Sequence, residues 1–262
     1  MENYFHTQPP TESLIIDGKK IEYHILGYRT LSASGRELHG VRLETAGTIL
    51  GRAGTIITGE SLDPRIITVN YILQAETPEE FRNKYNALNL LLRPSNKNAT
   101  LQFEDEPTKV FYGRLADAEI PEPGKLTVIS SFDLICEDPY KYDLTPATFT
   151  GNPTTIYSDL EYENIPELID VTLNEAATNV EIYNMDTGRK IVLNGNYEAG
   201  AVIQIRIADK EMHRRLTVNG QNRMQDLDYI QTSWMNFTVH QGDRISVTPA
   251  STVSVTIRKR WL

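Results

Sequence analysis

The sequence of 262 residues has a single cysteine, no apolar run that could cross a bilayer, and fewer cations than anions. Cys136 alone forms neither an internal disulfide nor a multi-thiolate metal site. The longest apolar stretch, residues 88–92, is interrupted by Asn89. It falls far short of the roughly 20 residues that span a bilayer. The first ten residues lack the basic and apolar regions of a secretory signal. With 26 Lys and Arg against 35 Asp and Glu the formal charge is −9, and a predominantly acidic surface disfavours nucleic acid or an anionic membrane as main partner. The expectation is a soluble chain made in a reducing compartment, with no membrane contact.

Catalytic signatures are also missing. No two of the five histidines stand four apart, as metal-binding pairs on a helix do. There is no Gly-x-Ser-x-Gly elbow, and Cys136 sits on an expected strand without the flanking motif of a nucleophile. Glu104-Asp105-Glu106 precedes Pro107 between two strands and reads as a solvated acidic turn rather than a cation site. Asp226 and Asp228 lack the glycine and downstream glutamate of a calcium loop. Residues 47–59 are glycine-rich but lack the Lys-Ser/Thr that closes a phosphate loop. An enzyme, a cofactor or a resident metal is therefore not expected.

What is present is a β pattern. Apolar residues make up 40% and are spread along the whole chain, so a core is available throughout. Residues 14–16 and 19–25 flank Asp17-Gly18, a hairpin signal, and residues 41–45 and 66–73 are further strands. One helix stands out. Thr77 caps it, Pro78 opens it, Glu80 completes a capping box, and Phe81, Tyr85, Leu88 and Leu92 form an apolar stripe before Pro94. Residues 109–120 and 125–137 form a long hairpin around Pro121–Gly124. Residues 139–166 lose the alternating pattern and read as a linker or irregular crossover. Seven short strands follow between residues 168 and 258, with turns at Asp186-Thr187-Gly188, Asn194-Gly195 and Asn219-Gly220. Such spacing indicates a β-sandwich.

Two stretches suggest contacts. Residues 47–59 interleave four glycines with Ile49, Leu50, Ile56 and Ile57, flexible yet apolar, which fits either a protein contact or a hairpin packed on its own domain. Trp234 with Tyr229 and Phe237 fits either a core anchor or an aromatic platform for a sugar. From residue 252 onward, strand alternation puts Val253, Val255, Ile257 and Trp261 on one face, with Arg258 and Arg260 on the other.

Several features in order resemble one family. They are Gly51-Arg52-Ala53-Gly54, Arg65 to Val69, the helix after Thr77, the pair Phe111-Tyr112, and the strand from Phe132 that exits as Asp138-Pro139-Tyr140-Lys141-Tyr142. The last strand, Ile257 to Trp261, fits as well. This order resembles the distal tail proteins of bacteriophages with long non-contractile tails that infect Gram-positive bacteria. The resemblance implies a mainly β fold. A β-rich ring-forming domain with one α-helix is expected at residues 1–140, a linker at 141–165, and a galectin-like or carbohydrate-binding-module-like β-sandwich at 166–262.

It further implies a non-enzymatic homohexameric hub in the virion, at the tail tip or baseplate, synthesised in the host bacterial cytoplasm. Expected neighbours are the major tail-tube protein, a tail-associated lysin or fibre protein, and receptor-binding or baseplate proteins. DNA would pass through a central channel without being bound. Ring contacts are expected at Arg52, Thr55, Ile56 and Ile57. The alternative is a carbohydrate-binding protein using Trp234 and Tyr229. Residues 1–138 carry −6 of the −9, so six copies would total −54, with the larger share in the ring-forming half and part of it lining the channel.

Overall fold

The computed structural model describes residues 10–262 except 49, 52, 94–97, 123, 158, 208–213 and 235. The chain is mainly β and divides into two compact units near residue 141.

In the first unit, Asp17-Gly18 turns β1 (Leu14–Ile16) into β2 (Lys19–Lys20), with φ of 47° and 77° at the two turn residues. This is the left-handed pair that a type I′ turn demands. The second arm expected over residues 19–25 is shorter than the sequence suggests. A one-turn helix, α1 (Ile21–His24), follows β2, burying Ile21 and Ile25 while Tyr23 between them stays exposed. A strand would put all three on one face.

The chain continues through β3 (Tyr28–Ser34), β4 (Val41–Thr48), β5 (Thr55–Leu62), β6 (Arg65–Gln74), α2 (Pro78–Leu92), β7 (Ala99–Phe103), β8 (Lys109–Ala118) and β9 (Thr127–Cys136). The main sheet is antiparallel in the order β2-β1-β7-β8-β9-β6-β3, while β4 and β5 form a separate two-stranded ribbon. At its centre β6 runs against β9 from Arg65 opposite Cys136 to Gln74 opposite Thr127. Ile67, Val69, Tyr71 and Leu73 point inward, each large buried side chain adding about 1.5–3 kcal/mol.

Helix α2 forms as its sequence dictates. Thr77 Oγ1 accepts from the Glu80 amide at 3.2 Å, but the Glu80 carboxylate accepts from Glu76 N at 2.7 Å, so the reciprocal half of the box reaches one residue further upstream. Leu88 and Leu92 are buried and Phe81 and Tyr85 pack partly buried beside them. The Tyr85 hydroxyl meets that of Tyr71 at 2.9 Å, and Lys84 Nζ donates to Gln74 O at 2.8 Å, fastening the helix to β6. Pro94, the expected stop, lies outside the described residues.

Strand β3 is held at both ends by glycine. Gly27 and Gly35 have φ of 87°, and a Cβ there would stand 2.3 Å from Gln74 O and 2.1 Å from Ile66 O. Only glycine permits that approach to β6. Beside Gly35 lies Arg65, 1% exposed, whose Nε donates to Pro139 O (2.7 Å) and Nη1 to Gly35 O (3.0 Å).

The acidic turn is bonded rather than merely solvated. Glu104 pairs with Lys20 (2.9 Å), Asp105 with Arg36 (2.8 Å), and Glu106 with Lys141 (2.7 Å). Arg36 grips Asp105 with both terminal nitrogens and lies over the Phe103 ring at 4.2 Å.

The second unit begins in the expected crossover. That stretch carries β10 (Lys141–Asp143), β11 (Ala147–Thr150) and β12 (Thr154–Thr155), followed by β13 (Leu168–Leu173), β14 (Ala177–Asn184), β15 (Lys190–Tyr197), β16 (Val202–Arg206), β17 (Arg215–Val218), β18 (Gln221–Asn222), β19 (Arg244–Thr248), β20 (Ser251–Ile257) and β21 (Arg260–Trp261). One sheet has the order β11-β20-β13-β16-β17-β18 and the other β12-β19-β14-β15, with a single apolar core drawn from both. Residues 141–165 are therefore no linker. β11 and β12 each add an edge strand, and Ile156 is fully buried. Their short, Thr- and Pro-rich runs show no alternation because outer strands bury little.

Asn194-Gly195 is likewise no turn. It continues β15, where a Cβ on Gly195 would stand 2.7 Å from both Tyr197 Oη and Asp226 Oδ2. The exposed edge of β15 is covered by the chain that follows β18, with Asp228 N on Val192 O (2.9 Å) and Ser233 N on Lys190 O (2.7 Å). Arg258 lies on no free charged face. Its Nε donates to Glu167 (2.7 Å) and Nη1 to Asp143 O (2.8 Å), while Trp261 Nε1 donates to Asp143 Oδ1 (2.8 Å).

Asp105→Asn should lower the unfolding free energy at neutral pH by roughly 3 kcal/mol, because it leaves the buried Arg36 without its counter-charge. The hydrogen bond from Arg36 holds the Asp105 carboxyl below the usual carboxylate range. A depressed acid stabilises above its unfolded pKa, about 3.9, and loses that contribution as pH falls through the folded value. Urea titrations should show a wild-type advantage that is constant down to about pH 5 and shrinks below about pH 4.

Candidate interaction surfaces

The described residues contain no cluster of three or more His, Cys, Asp or Glu able to hold a metal ion. Cys136 is fully buried and its burial pushes the thiol up to about 12, far from a thiolate at neutral pH. Asp226 and Asp228 are engaged within the second unit. Asp226 accepts from Tyr197 Oη (3.0 Å) and pairs with Arg223 (2.8 Å). Asp228 accepts from the amides of Ile230 and Gln231 at 3.0 and 3.1 Å, bonds that hold its carboxyl below the usual range.

The glycine-rich stretch is more ordered than a loop. Pairing runs from Val41 opposite Leu62 to Thr48 opposite Thr55, with register shifts on either side of Thr45. Thr55 Oγ1 donates to Gly47 O at 3.1 Å near the tip. At the base, Arg42 pairs with Asp63 (3.1 Å) and the His39 ring bonds Asp63 O (2.7 Å). Of the four expected contact residues, Thr55 and Ile57 are exposed, Ile56 is half-buried, and Arg52 lies outside the described residues. Sequence reasoning missed Val41 and Leu43, which lie on the opposite strand and, like Ile57 and Leu50, are exposed. Their alternation is visible in the sequence but could not be told from that of a core strand. The ribbon does not bury these side chains within its own unit.

The aromatic trio separates. Trp234 is only 8% exposed and Phe237 is fully buried, both within the core of the second unit. Trp234 is therefore no sugar platform. Tyr229 alone is exposed, beside Ile230 on the turn that Asp228 holds.

Comparison with known proteins follows the same division. Residues 16–133 match the family described as phage tail protein RIFT-related domain, and residues 163–261 match siphovirus-type tail component, C-terminal domain. Across 251 residues the chain is 26% identical to the distal tail protein of Bacillus phage SPP1, covering 93% of this chain and 94% of that one. The chain belongs to the distal tail protein family of phages infecting Gram-positive bacteria.

The crystal structure of the SPP1 protein, described there as a hub of the adsorption apparatus, superposes on 97% of this chain and 100% of its own with a TM-score of 0.75 at 20% identity. A chain of the phage P2 baseplate in its activated, Ca-containing conformation covers 89% of this chain and 90% of its own with a TM-score of 0.56 at 13% identity. The distal tail fold thus survives with few shared residues, as expected when burial pattern rather than residue identity specifies it. The mainly β architecture expected from the sequence is present, with one long helix joined by the single turn α1.

Trp234→Ala should cost about 3–5 kcal/mol of stability, the range for truncating a buried aromatic. Thermal melts should show this loss, whereas a surface sugar platform would leave the melting temperature unchanged.

Proposed function

We propose that the chain is a homohexameric hub. It joins the tail tube above to the tail-associated and receptor-binding proteins below, and its role is assembly rather than turnover. The observation that carries this reading is the β4–β5 ribbon. A two-stranded ribbon is marginal by itself in water, and this one exposes Val41, Leu43, Leu50 and Ile57. A neighbouring copy supplies the missing cover. Contacts around a ring are head-to-tail, so the ribbon of one subunit meets a different surface on the next, and closure at six leaves no ribbon bare. Family membership supports a place in the tail, and the SPP1 relative is itself described as a hub. On this reading the protein acts in the virion at the tail tip, and DNA passes through the ring without being held.

Light scattering coupled to gel filtration should show a species near 178 kDa, six subunits of 29.7 kDa, alone or with the tail-tube partner. Ile57→Asp combined with Leu43→Asp should return it to the monomer mass without lowering the melting temperature, since both side chains are exposed. A wild-type protein that stays monomeric at high concentration with that partner would count decisively against the ring. Part of the acidity of the first half is placed along the channel, where it repels the phosphates of passing DNA. An image of the assembled tail tip with a neutral or basic lumen would overturn that part.

A further inference from the structure

Three enclosed polar atoms meet where α1 lies beside β3, the last strand of the main sheet. Carboxylates take two amides of this strand. Glu22 Oε1, from α1, accepts from the Thr30 amide at 3.1 Å, and Glu12 Oε2 accepts from the Ala33 amide at 2.7 Å. They cover backbone donors that an outer strand would otherwise leave open. Tyr28 and Thr30 occupy alternate positions on β3 and are only 2% and 1% exposed. The Tyr28 ring stacks on Tyr71 at 5.3 Å, and Tyr71 stands directly opposite Thr30 in the ladder. Both hydroxyls are therefore closed off from bulk solvent by the core.

Glu22 Oε2, Tyr28 Oη and Thr30 Oγ1 have no hydrogen-bond partner among the described residues. Leaving one such atom unpaired is costly, and native cores contain few of them, so three side by side call for a common explanation. They are neighbours in space. Burial pushes the Tyr28 hydroxyl well above the usual tyrosine range, with the Glu22 charge adding to the effect and the Thr30 hydroxyl opposing it. Tyr28 thus keeps a proton to donate. Tyr71 and Tyr85 give the contrast, since their hydroxyls meet directly at 2.9 Å. Polar groups that sit close without bonding one another have the spacing that a bridging molecule fills.

We propose that Glu22, Tyr28 and Thr30 together bind one internal water molecule, which ties α1 to the inward face of β3. Donors and acceptors balance. The water accepts from the Tyr28 hydroxyl and donates one proton to Glu22 Oε2 and the other to Thr30 Oγ1. About three bonds is the usual number for an internal water. A divalent cation fits the donor set poorly. Calcium takes roughly six to eight oxygens and magnesium about six, whereas one carboxylate oxygen and two neutral hydroxyls converge here. The site lies within one subunit, so its test does not depend on ring assembly.

A high-resolution crystal structure of the full chain tests the site directly. Density for a single water should stand about 2.5–3.0 Å from all three oxygens. Tyr28→Phe and Thr30→Val should each lower the melting temperature by several degrees, and the water should fade from the density of either variant. The double variant should lose clearly less than the sum of the two, because both hydroxyls serve one water. The wild-type crystal decides the matter even where a variant fails to fold. Three outcomes would each overturn the proposal: direct bonds among the three groups with no water between them, strictly additive losses, or an anomalous peak at the site after soaking in rubidium chloride. The last would assign a monovalent cation instead.

Discussion

Three consecutive carboxylates in one turn organise the first unit. Glu104, Asp105 and Glu106 each hold a cation from a distant part of the chain, Lys20 in the first hairpin, Arg36 at the root of the ribbon, and Lys141 at the exit from β9. The strongest of these is the bidentate grip of Arg36, because its guanidinium is buried and stacked on Phe103. Arg65 repeats the arrangement without a carboxylate, its guanidinium fixing Gly35 O and Pro139 O. Ribbon root and chain exit are therefore tied to the same wall of the sheet. Removing one partner of such a buried charge costs more than the pair itself contributes, since the remaining charge has no solvent to return to.

The second unit is stabilised differently. Its core is mostly aliphatic, with Tyr197 from β15 and Trp234 and Phe237 from the loop after β18. Asn184, fully buried, donates to Thr238 O and Asp243 while accepting from the amides of Asp186 and Thr187. Outward positions of its larger sheet carry the paired hydroxyls and the opposed Arg206 and Arg215. The first unit instead leaves apolar residues outside, on a ribbon that its own sheet does not cover.

Much of this was legible in the residues. The cap at Thr77, the stripe from Phe81 to Leu92, the Asp17-Gly18 turn and the strand at 215–218 all depend on local geometry, and the structure contains them. The errors fell where tertiary contacts override local signals. Asn194-Gly195 looks like a turn, yet Gly195 is there because Tyr197 and Asp226 crowd the position. The segment at 141–165 looks irregular, yet it supplies edge strands that need only a partner's backbone, not an alternating pattern. Arg206 and Arg215 are separated by eight intervening residues, so no spacing rule pairs them, and only the strand register does.

The sequence by itself determined the β class, the single long helix, the absence of a nucleophile or metal motif, and the ordered features that resemble distal tail proteins. These follow from short-range propensity, alternation and turn chemistry, which are written in neighbouring residues. Tertiary structure decided which aromatic is core and which is surface, which charges are neutralised, and which apolar strands remain bare. Each of those depends on what a side chain meets across the fold. Burial and pairing are properties of the whole packed chain, and an exposed Ile57 has the same local sequence signature as a buried one.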